Sequence, residues 1–166
     1  KGIPTVYLSQ YANGSAAEKE AFVRDLGKAF HEVGFVAVVN HGVPKELIDR
    51  FYAASRAFFA LPEAVKKKYE VPGLAGQRGY TSFGKEHAKQ SQVADLKEFF
   101  QIGQEVSAEH PLKAQYPDNV QVAEAPDFAQ LGRELYQAFE KAGGLLLEAI
   151  AAHLSLEKDF FNRQIR

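Results

Sequence analysis

The chain has 166 residues, of which 46% are hydrophobic and 25% charged, and its formal net charge is −1. These values are typical of one folded domain and exclude a disordered chain, and a nearly neutral protein has no overall field that would attract nucleic acid. Cysteine is absent, which excludes disulfides and thiolate metal sites, and no apolar stretch approaches the roughly 20 residues that span a bilayer. The sequence therefore predicts a cytoplasmic protein without nucleic-acid or membrane partners.

The first part of the chain alternates between strand and helix signals. Residues 3–8 form a short β-prone run, and Ser15 with Glu18 forms a capping box that predicts the start of a helix. Gly34 is expected to end this helix in the left-handed conformation. The continuous apolar run 35–39 then predicts a strand that is buried on both faces. This order predicts a mixed α and β fold.

The segment 40–44 predicts a turn that leads into a second long helix, and His41 is expected to hold this turn by a local hydrogen bond. Pro62 either ends this helix or starts a short second piece that reaches about Tyr69. The run Lys66-Lys67-Lys68 in that piece is interpreted as a solvated helix face. The helix is expected to bury the face made by Leu47, Ile48, Phe51, Tyr52, Ser55, Phe58 and Phe59.

Residues 70–95 change character, because four glycines punctuate a polar stretch of the kind that is often functional or mobile. Brief strands are predicted at 80–83 and 96–102, and either Lys97 or Glu98 is expected to form a structural ion pair. A long helix is predicted from Asp127 to His153. Its inner stripe is expected to consist of Phe128, Leu131, Leu135, Phe139, Leu146 and Ile150.

Searches for chemical motifs in the sequence are negative. None of the five histidines lies in an H-x-D or H-x-E pair or four residues from another, so the usual zinc and non-haem iron spacings are missing. His31 and His153 are expected at the surface or its boundary. No G-x-S-x-G nucleophile elbow occurs, and Gly84-Lys85 is followed by Glu86 and not by the Ser or Thr of a phosphate loop. A metal site assembled from distant residues stays open.

Several segments together resemble the N-terminal region of the isopenicillin N synthase-like oxygenases. The most specific is 34–44, GFVAVVNHGVP, which is similar to the family's GFF-x-V-x-NHGV-P stretch. Each of the other segments is weak alone, but their order and spacing match the family. They are Ile3-Pro4, the run 58–69 (FFALPEAVKKKY), the run 78–84 (RGYTSFG) and the run 95–100 (DLKEFF).

The resemblance implies a helix-rich N-terminal portion with a few strands, which normally packs on a double-stranded β-helix, or jelly roll. That jelly roll is expected to be largely absent from this chain. Residues 1–166 would then be a non-catalytic domain, with the catalytic jelly roll after residue 166. In the family the jelly roll binds Fe(II) through H-x-D and a distant His, and an Arg-x-Ser holds 2-oxoglutarate. The resemblance thus predicts no catalytic or metal-binding residue in this chain.

The implied function of the whole protein is oxidation of a small molecule by hydroxylation, desaturation or ring closure, dependent on Fe(II) and 2-oxoglutarate. This chain would supply scaffold and one wall of the substrate pocket, and alone it is expected to be inactive. Arg78, Tyr80 and Phe83 are the candidates for substrate contact. Alternatively, Tyr80 and Phe83 are core residues and Arg78 forms a surface ion pair.

The sequence leaves two further expectations, one about an alternative function and one about the exposed surface. The protein could instead be a non-enzymatic interaction domain that retains only the N-terminal scaffold and binds a partner through residues 70–95. If the jelly roll is its missing intramolecular partner, the chain should expose an apolar patch and an unpaired sheet edge.

Overall fold

The computed structural model describes residues 2–86 and 93–165, which form helices joined to short strands. About half of the described residues are helical, and the strands are only three residues long, so the predicted mixed α and β class is confirmed. The elements in chain order are β1 Thr5–Tyr7, α1 Leu8–Asn13, α2 Ala16–Glu32, β2 Ala37–Val39, α3 Lys45–Phe59, α4 Glu63–Lys66, a 3-10 turn Lys67–Tyr69, β3 Gly79–Thr81, β4 Phe99–Gln101, a 3-10 turn Lys113–Gln115, α5 Pro126–His153 and a 3-10 turn Asn162–Gln164.

The chain forms two compact units, and the first comprises the chain up to Pro44 and from Gln137 onward. In this unit β1 pairs in parallel with β2, with Val6 opposite Val38. Val6 and Val38 contribute to a core that α2 and α5 complete. Its buried members are Val6, Leu8, Phe22, Leu26, Ala142 and Ala149.

Only one face of the β1–β2 sheet is buried, so the prediction of a strand buried on both faces is wrong. Side chains alternate across a strand. Val36 and Val38 therefore pack against the core of the first unit, whereas Phe35 and Ala37 point the other way and are exposed. Tyr7 of β1 is exposed as well. We call the side that carries Tyr7, Phe35 and Ala37 the open face of this sheet.

The second unit, Lys45–Tyr136, has its own core, built mainly from aromatic side chains. The antiparallel pair β3–β4 places Tyr80 opposite Phe100, and Phe58 of α3 packs against both rings. Phe58 is the residue of α3 that is fully buried, while Tyr52, which the helical period assigned to the same face, is 62% exposed. Tyr52 was therefore wrongly assigned to the core.

The predicted last helix is confirmed as α5, Pro126–His153. Its residues up to Tyr136 belong to the second unit and the remainder to the first. Ala142 and Ala149 lie one heptad apart on its buried face in the first unit, and Phe139 lies at the edge of that face and is exposed, contrary to prediction. Over residues 2–86 and 93–165, no helix has the length and apolar character that a bilayer crossing requires.

Three predicted local features of the first unit are confirmed. The Ser15 hydroxyl accepts from the Glu18 amide, and the Glu18 carboxylate accepts from the Ser15 amide, which completes the capping box. Gly34 ends the helical segment with φ of +80°. His41 accepts a hydrogen bond at Nδ1 from the Val43 amide, 3.1 Å away, and thereby holds the turn after β2.

Candidate functional site

The candidate site is centred on β3 and the residues that follow it in the second unit. Two of the three predicted contact residues, Tyr80 and Phe83, lie in or shortly after this strand, and Arg78 precedes it. Burial falls sharply along the segment, because Gly79 to Ser82 are buried whereas Phe83 is 53% exposed. The strand is thus buried along its whole length, and the chain reaches the surface at Phe83, two residues after the strand ends.

A cavity of about 390 Å³ lies beside β3, a volume within the range of small-molecule sites. Residues of the loop between Glu70 and Gly76 form much of its lining, and both Arg78 and Tyr80 contribute to it. Lys85 Nζ lies 2.7 Å from Glu70 Oε2 at the cavity. This hydrogen bond lowers the pKa of the Glu70 carboxyl below its ordinary value, so Glu70 is a charged lining group at neutral pH.

Tyr80 is 2% exposed, and its hydroxyl donates to the Glu98 carboxylate. Burial raises the pKa of Tyr80 well above its ordinary value, and the adjacent Glu98 carboxylate raises it further. The phenol therefore stays protonated and acts as a hydrogen-bond donor. Because its hydroxyl is bonded to Glu98, Tyr80 lines the cavity without a free hydroxyl donor.

Glu98 also binds Lys66, whose Nζ lies 2.7 Å from Oε2 and donates to the Phe59 carbonyl at 3.1 Å. The two side chains are 17% and 8% exposed, which makes this a buried ion pair. The predicted ion pair in the 97–98 dipeptide is confirmed, and Lys97 forms one as well, with Glu86 at 2.7 Å. The interpretation of the lysine run as a solvated face is wrong for Lys66, while Lys67 and Lys68 are exposed.

We expect acid to destabilise the second unit, because it protonates the Glu98 carboxylate. Burial raises the pKa of the Glu98 carboxyl, but hydrogen bonds from Lys66 and Tyr80 outweigh burial and hold the pKa below its ordinary value. A carboxyl whose folded pKa is lowered stabilises the fold above its unfolded pKa of about 4.3, and this stabilisation is lost as the pH falls through the folded value. We expect the urea midpoint of the wild type to fall more steeply below about pH 4.3 than that of Glu98→Gln. Parallel pH profiles of the two proteins would contradict this role of Glu98.

Arg78 is partly buried and donates to three backbone carbonyls. Nε bonds the Pro117 oxygen at 3.1 Å, Nη1 the Gln77 oxygen at 2.7 Å and Nη2 the Gln104 oxygen at 3.4 Å. Two of these acceptors belong to the long connection between β4 and α5. The guanidinium that the sequence analysis predicted as a substrate contact is thus hydrogen-bonded to backbone carbonyls of this chain. A direct contact between Arg78 and the substrate stays a prediction.

Phe83 is the candidate whose side chain is free to meet another molecule. It follows the buried Ser82 and precedes Gly84, which adopts a φ of +78°. An exposed aromatic ring at the end of a buried strand is held in place by its backbone at little entropic cost, which suits an apolar contact. The structure therefore brings Arg78 and Tyr80 to one cavity and leaves Phe83 on the neighbouring surface.

Sequence reasoning did not single out four residues on which this arrangement depends. Lys66 was interpreted as part of a surface cluster, and Tyr69, Gly103 and Asn119 were assigned no role. The Tyr69 hydroxyl donates to the Glu124 carboxylate and accepts from the Ala123 amide at 3.0 Å, so it fixes the chain ahead of α5. The only available signal was that Lys66 and Tyr69 belong to the family-like run 58–69, and membership of this run does not indicate a partner.

Over the described ranges 2–86 and 93–165, no group of three or more His, Asp or Glu side chains is arranged to hold a metal ion. The predictions for His31 and His153 as surface residues are confirmed, since both are exposed. His87 lies outside the described residues. The described part of the chain therefore does not fit a resident iron, and no chemical step is assigned to its side chains.

Comparison with known proteins supports the family resemblance that the sequence motifs indicate. Residues 3–124 match the family described as "non-haem dioxygenase in morphine synthesis N-terminal". A 2-oxoglutarate-dependent dioxygenase, traH of Penicillium crustosum, is 31% identical over 96% of this chain and 52% of its own length. A 2-oxoglutarate-Fe(II) type oxidoreductase, ppzD of Metarhizium rileyi, is 27% identical over 95% of this chain and 47% of its own length.

Several solved structures also resemble this chain. A 2OG-Fe(II) oxygenase family protein from Caulobacter crescentus is 38% identical, with a TM-score of 0.84 over 97% of this chain and 51% of that one. A full-length Neurospora crassa protein, solved in complex with alpha-KG, has a TM-score of 0.76 at 22% identity over 96% of this chain and 46% of its own, and shows likeness of fold alone. The chain spans about half the length of the curated relatives and structures that it matches.

Proposed function

Since the chain belongs to the family of N-terminal regions of non-haem, 2-oxoglutarate-dependent dioxygenases, we propose that the whole protein is an Fe(II)- and 2-oxoglutarate-dependent oxygenase. Its substrate is a small molecule, which it oxidises by hydroxylation, desaturation or ring closure. The observation that carries the proposal is the family match over residues 3–124. The names of the relatives, which specify 2-oxoglutarate and Fe(II), support it.

Residues 1–166 act as the N-terminal, non-catalytic domain of this enzyme, and a jelly roll after residue 166 holds the iron and 2-oxoglutarate. Two observations support this division. The family model that matches residues 3–124 is described as N-terminal. In addition, the open face of the β1–β2 sheet exposes Tyr7 and Phe35, which suits burial against an intramolecular partner. The cytoplasmic location stays a prediction.

The contribution of this chain to the reaction is one wall of the substrate pocket, formed by Arg78, Tyr80 and Phe83. Phe83 makes the direct apolar contact, because it alone of the three is largely exposed. Tyr80 holds the strand that presents Phe83, through its bond to Glu98. Arg78 and Tyr80 both line the adjoining cavity, which is large enough for part of a small molecule.

Oxidative decarboxylation of 2-oxoglutarate releases succinate, and this product tests the proposal. The full-length gene product, supplied with Fe(II) and 2-oxoglutarate, should form succinate faster when its small-molecule substrate is present. Residues 1–166 alone should form none. A full-length protein that forms no succinate above a metal-free control, with any of a panel of small molecules, would favour the alternative of a non-enzymatic interaction domain.

A further inference from the structure

The connection between β4 and α5 is long and mostly irregular, yet a few contacts fix it to the start of β3. Its first part, residues 103–119, contains only the 3-10 turn Lys113–Gln115 as regular structure. We call this stretch the 103–119 segment. Arg78 bonds it at both ends, through the Gln104 carbonyl near its beginning and the Pro117 carbonyl near its end. One guanidinium thus ties together two points that are well separated in the chain.

The backbone at Gly103 permits this arrangement. A Cβ at this position would lie 2.2 Å from Arg78 Cζ and 2.4 Å from either terminal nitrogen, so the guanidinium rests directly on the glycine. Any side chain here would displace the guanidinium from its carbonyls, because real Cβ atoms do not approach other heavy atoms so closely. The absence of a side chain at Gly103 is therefore a requirement of the Arg78 contacts.

A second residue, at the other end of the segment, also holds Gly103. The Asn119 side chain accepts from the Gly103 amide at 2.8 Å and donates to the Gly103 carbonyl at 2.9 Å. It also donates to Glu105 Oε1 at 3.0 Å. Arg78 and Asn119 hold the 103–119 segment through separate hydrogen bonds, because the bonds described for the two side chains share no partner atom.

We propose that Arg78 is a positioning residue: it ties the start of β3 to the 103–119 segment, and so holds in place the strand that carries the proposed pocket wall, without itself contacting the substrate. A planar guanidinium with five N–H donors can satisfy several carbonyls at fixed angles, which the flexible ammonium of lysine cannot do. All three hydrogen bonds described for Arg78 go to backbone carbonyls. The substrate part of this inference rests on the proposed function, whereas the fixing of the segment does not.

The test uses full-length protein carrying Arg78→Ala, Arg78→Lys, Asn119→Ala or the double change Arg78→Ala with Asn119→Ala. Arg24→Ala is the matched control, since Arg24 is an exposed arginine of the first unit. The first measurement is the rate of trypsin cleavage after Lys113, the only Lys or Arg between residues 103 and 125, followed by mass spectrometry. The second is steady-state kinetics of succinate formation.

Each of Arg78→Ala, Arg78→Lys and Asn119→Ala should speed cleavage after Lys113 severalfold. Each should also raise the KM for the small-molecule substrate by about tenfold while kcat and the KM for 2-oxoglutarate stay within about twofold. In the double variant, the rate of cleavage after Lys113 and the substrate KM should be only slightly higher than in either single variant. The increases should be much smaller than the product of the two single effects, because both side chains act through the same segment. Arg24→Ala should behave as the wild type.

The proposal is overturned if Asn119→Ala leaves the substrate KM unchanged while Arg78→Ala raises it, since that pattern indicates direct contact by Arg78. Faster cleavage in all variants with an unchanged substrate KM contradicts the link to the pocket. Unchanged cleavage in Arg78→Ala contradicts the fixing of the segment. If the wild type forms no succinate at all, the proposed function fails, and the cleavage rates alone then decide whether Arg78 fixes the segment.

Discussion

Replacing Lys66 by methionine is expected to lower the free energy of unfolding by about 3–5 kcal/mol, since removal of one partner leaves a buried charge uncompensated. Methionine retains the length of the lysine stem but not the ammonium that binds Glu98 at 2.7 Å and donates to the Phe59 carbonyl. The Glu98 carboxylate would keep only the Tyr80 hydroxyl among these partners. Urea unfolding followed by far-UV circular dichroism measures the loss.

The control is Lys45→Met, which removes an ion pair of similar length, 2.5 Å to Asp49, whose side chains are 85% and 59% exposed. This change should cost no more than about 0.5 kcal/mol, because exposed pairs contribute little. Combining Lys66→Met with Glu98→Gln should recover a large part of the stability by removing the isolated charge. Equal losses in Lys66→Met and Lys45→Met would show that the buried pair does not stabilise the second unit.

Replacing Phe58 by alanine should cost about 3–5 kcal/mol, the range found when a buried aromatic ring is removed and a cavity is left. The Phe58 ring is fully buried and lies at the centre of the second unit's core. Its ring centroid is 5.1 Å from that of Phe128, with the planes nearly parallel, and 5.0 Å from that of Phe100, edge to face. Further aromatic neighbours are Phe59, Tyr69 and Tyr80. The same urea titration measures the loss.

Tyr52→Ala on the same helix provides the comparison, because Tyr52 is an aromatic residue of α3 that is 62% exposed. In residues 1–166 it should change the free energy of unfolding by no more than about 0.5 kcal/mol. If the two alanine variants were equally stable, the aromatic cluster around Phe58 would not be the core of this unit.

Features that depend on neighbouring residues were predictable from the sequence. The capping box of Ser15 and Glu18, the left-handed Gly34 and the hydrogen bond from the Val43 amide to His41 each involve residues close together in the chain. Their geometry is fixed by backbone chemistry that does not depend on the rest of the fold. The bounds of α5 were predicted for a similar reason, since a long amphipathic period leaves little ambiguity.

Burial was predicted less well, because it depends on which surfaces meet in the folded chain. Lys66 looked like a member of a solvated lysine run, but its partner Glu98 lies 32 residues away and no local pattern indicates it. The apolar run 35–39 looked like a strand covered on both faces, whereas the structure covers only the side of Val36 and Val38. Apolar composition alone does not distinguish a strand buried on both faces from a strand with one open face.

The candidate site was also predicted only in part, because its contacts depend on which parts of the folded chain meet. Arg78 was selected through family resemblance, but its bonds to backbone carbonyls have no signature in the sequence, because every residue carries a carbonyl. Gly103 and Asn119 were not selected, since the close approach at Gly103 exists only once residues 78 and 103 are brought together. Phe83 was selected as a substrate contact, with a core role as the alternative. Its exposure excludes the core role and leaves the side chain free to make contacts.

The claim that this chain forms a wall of the substrate pocket and does not hold the cofactors is tested most directly by steady-state kinetics of full-length Phe83→Ala. We predict that the KM for the small-molecule substrate rises about tenfold, while the KM for 2-oxoglutarate and the Fe(II) concentration for half-maximal succinate formation are unchanged. An unchanged substrate KM, or a change confined to the 2-oxoglutarate and Fe(II) dependences, would contradict it.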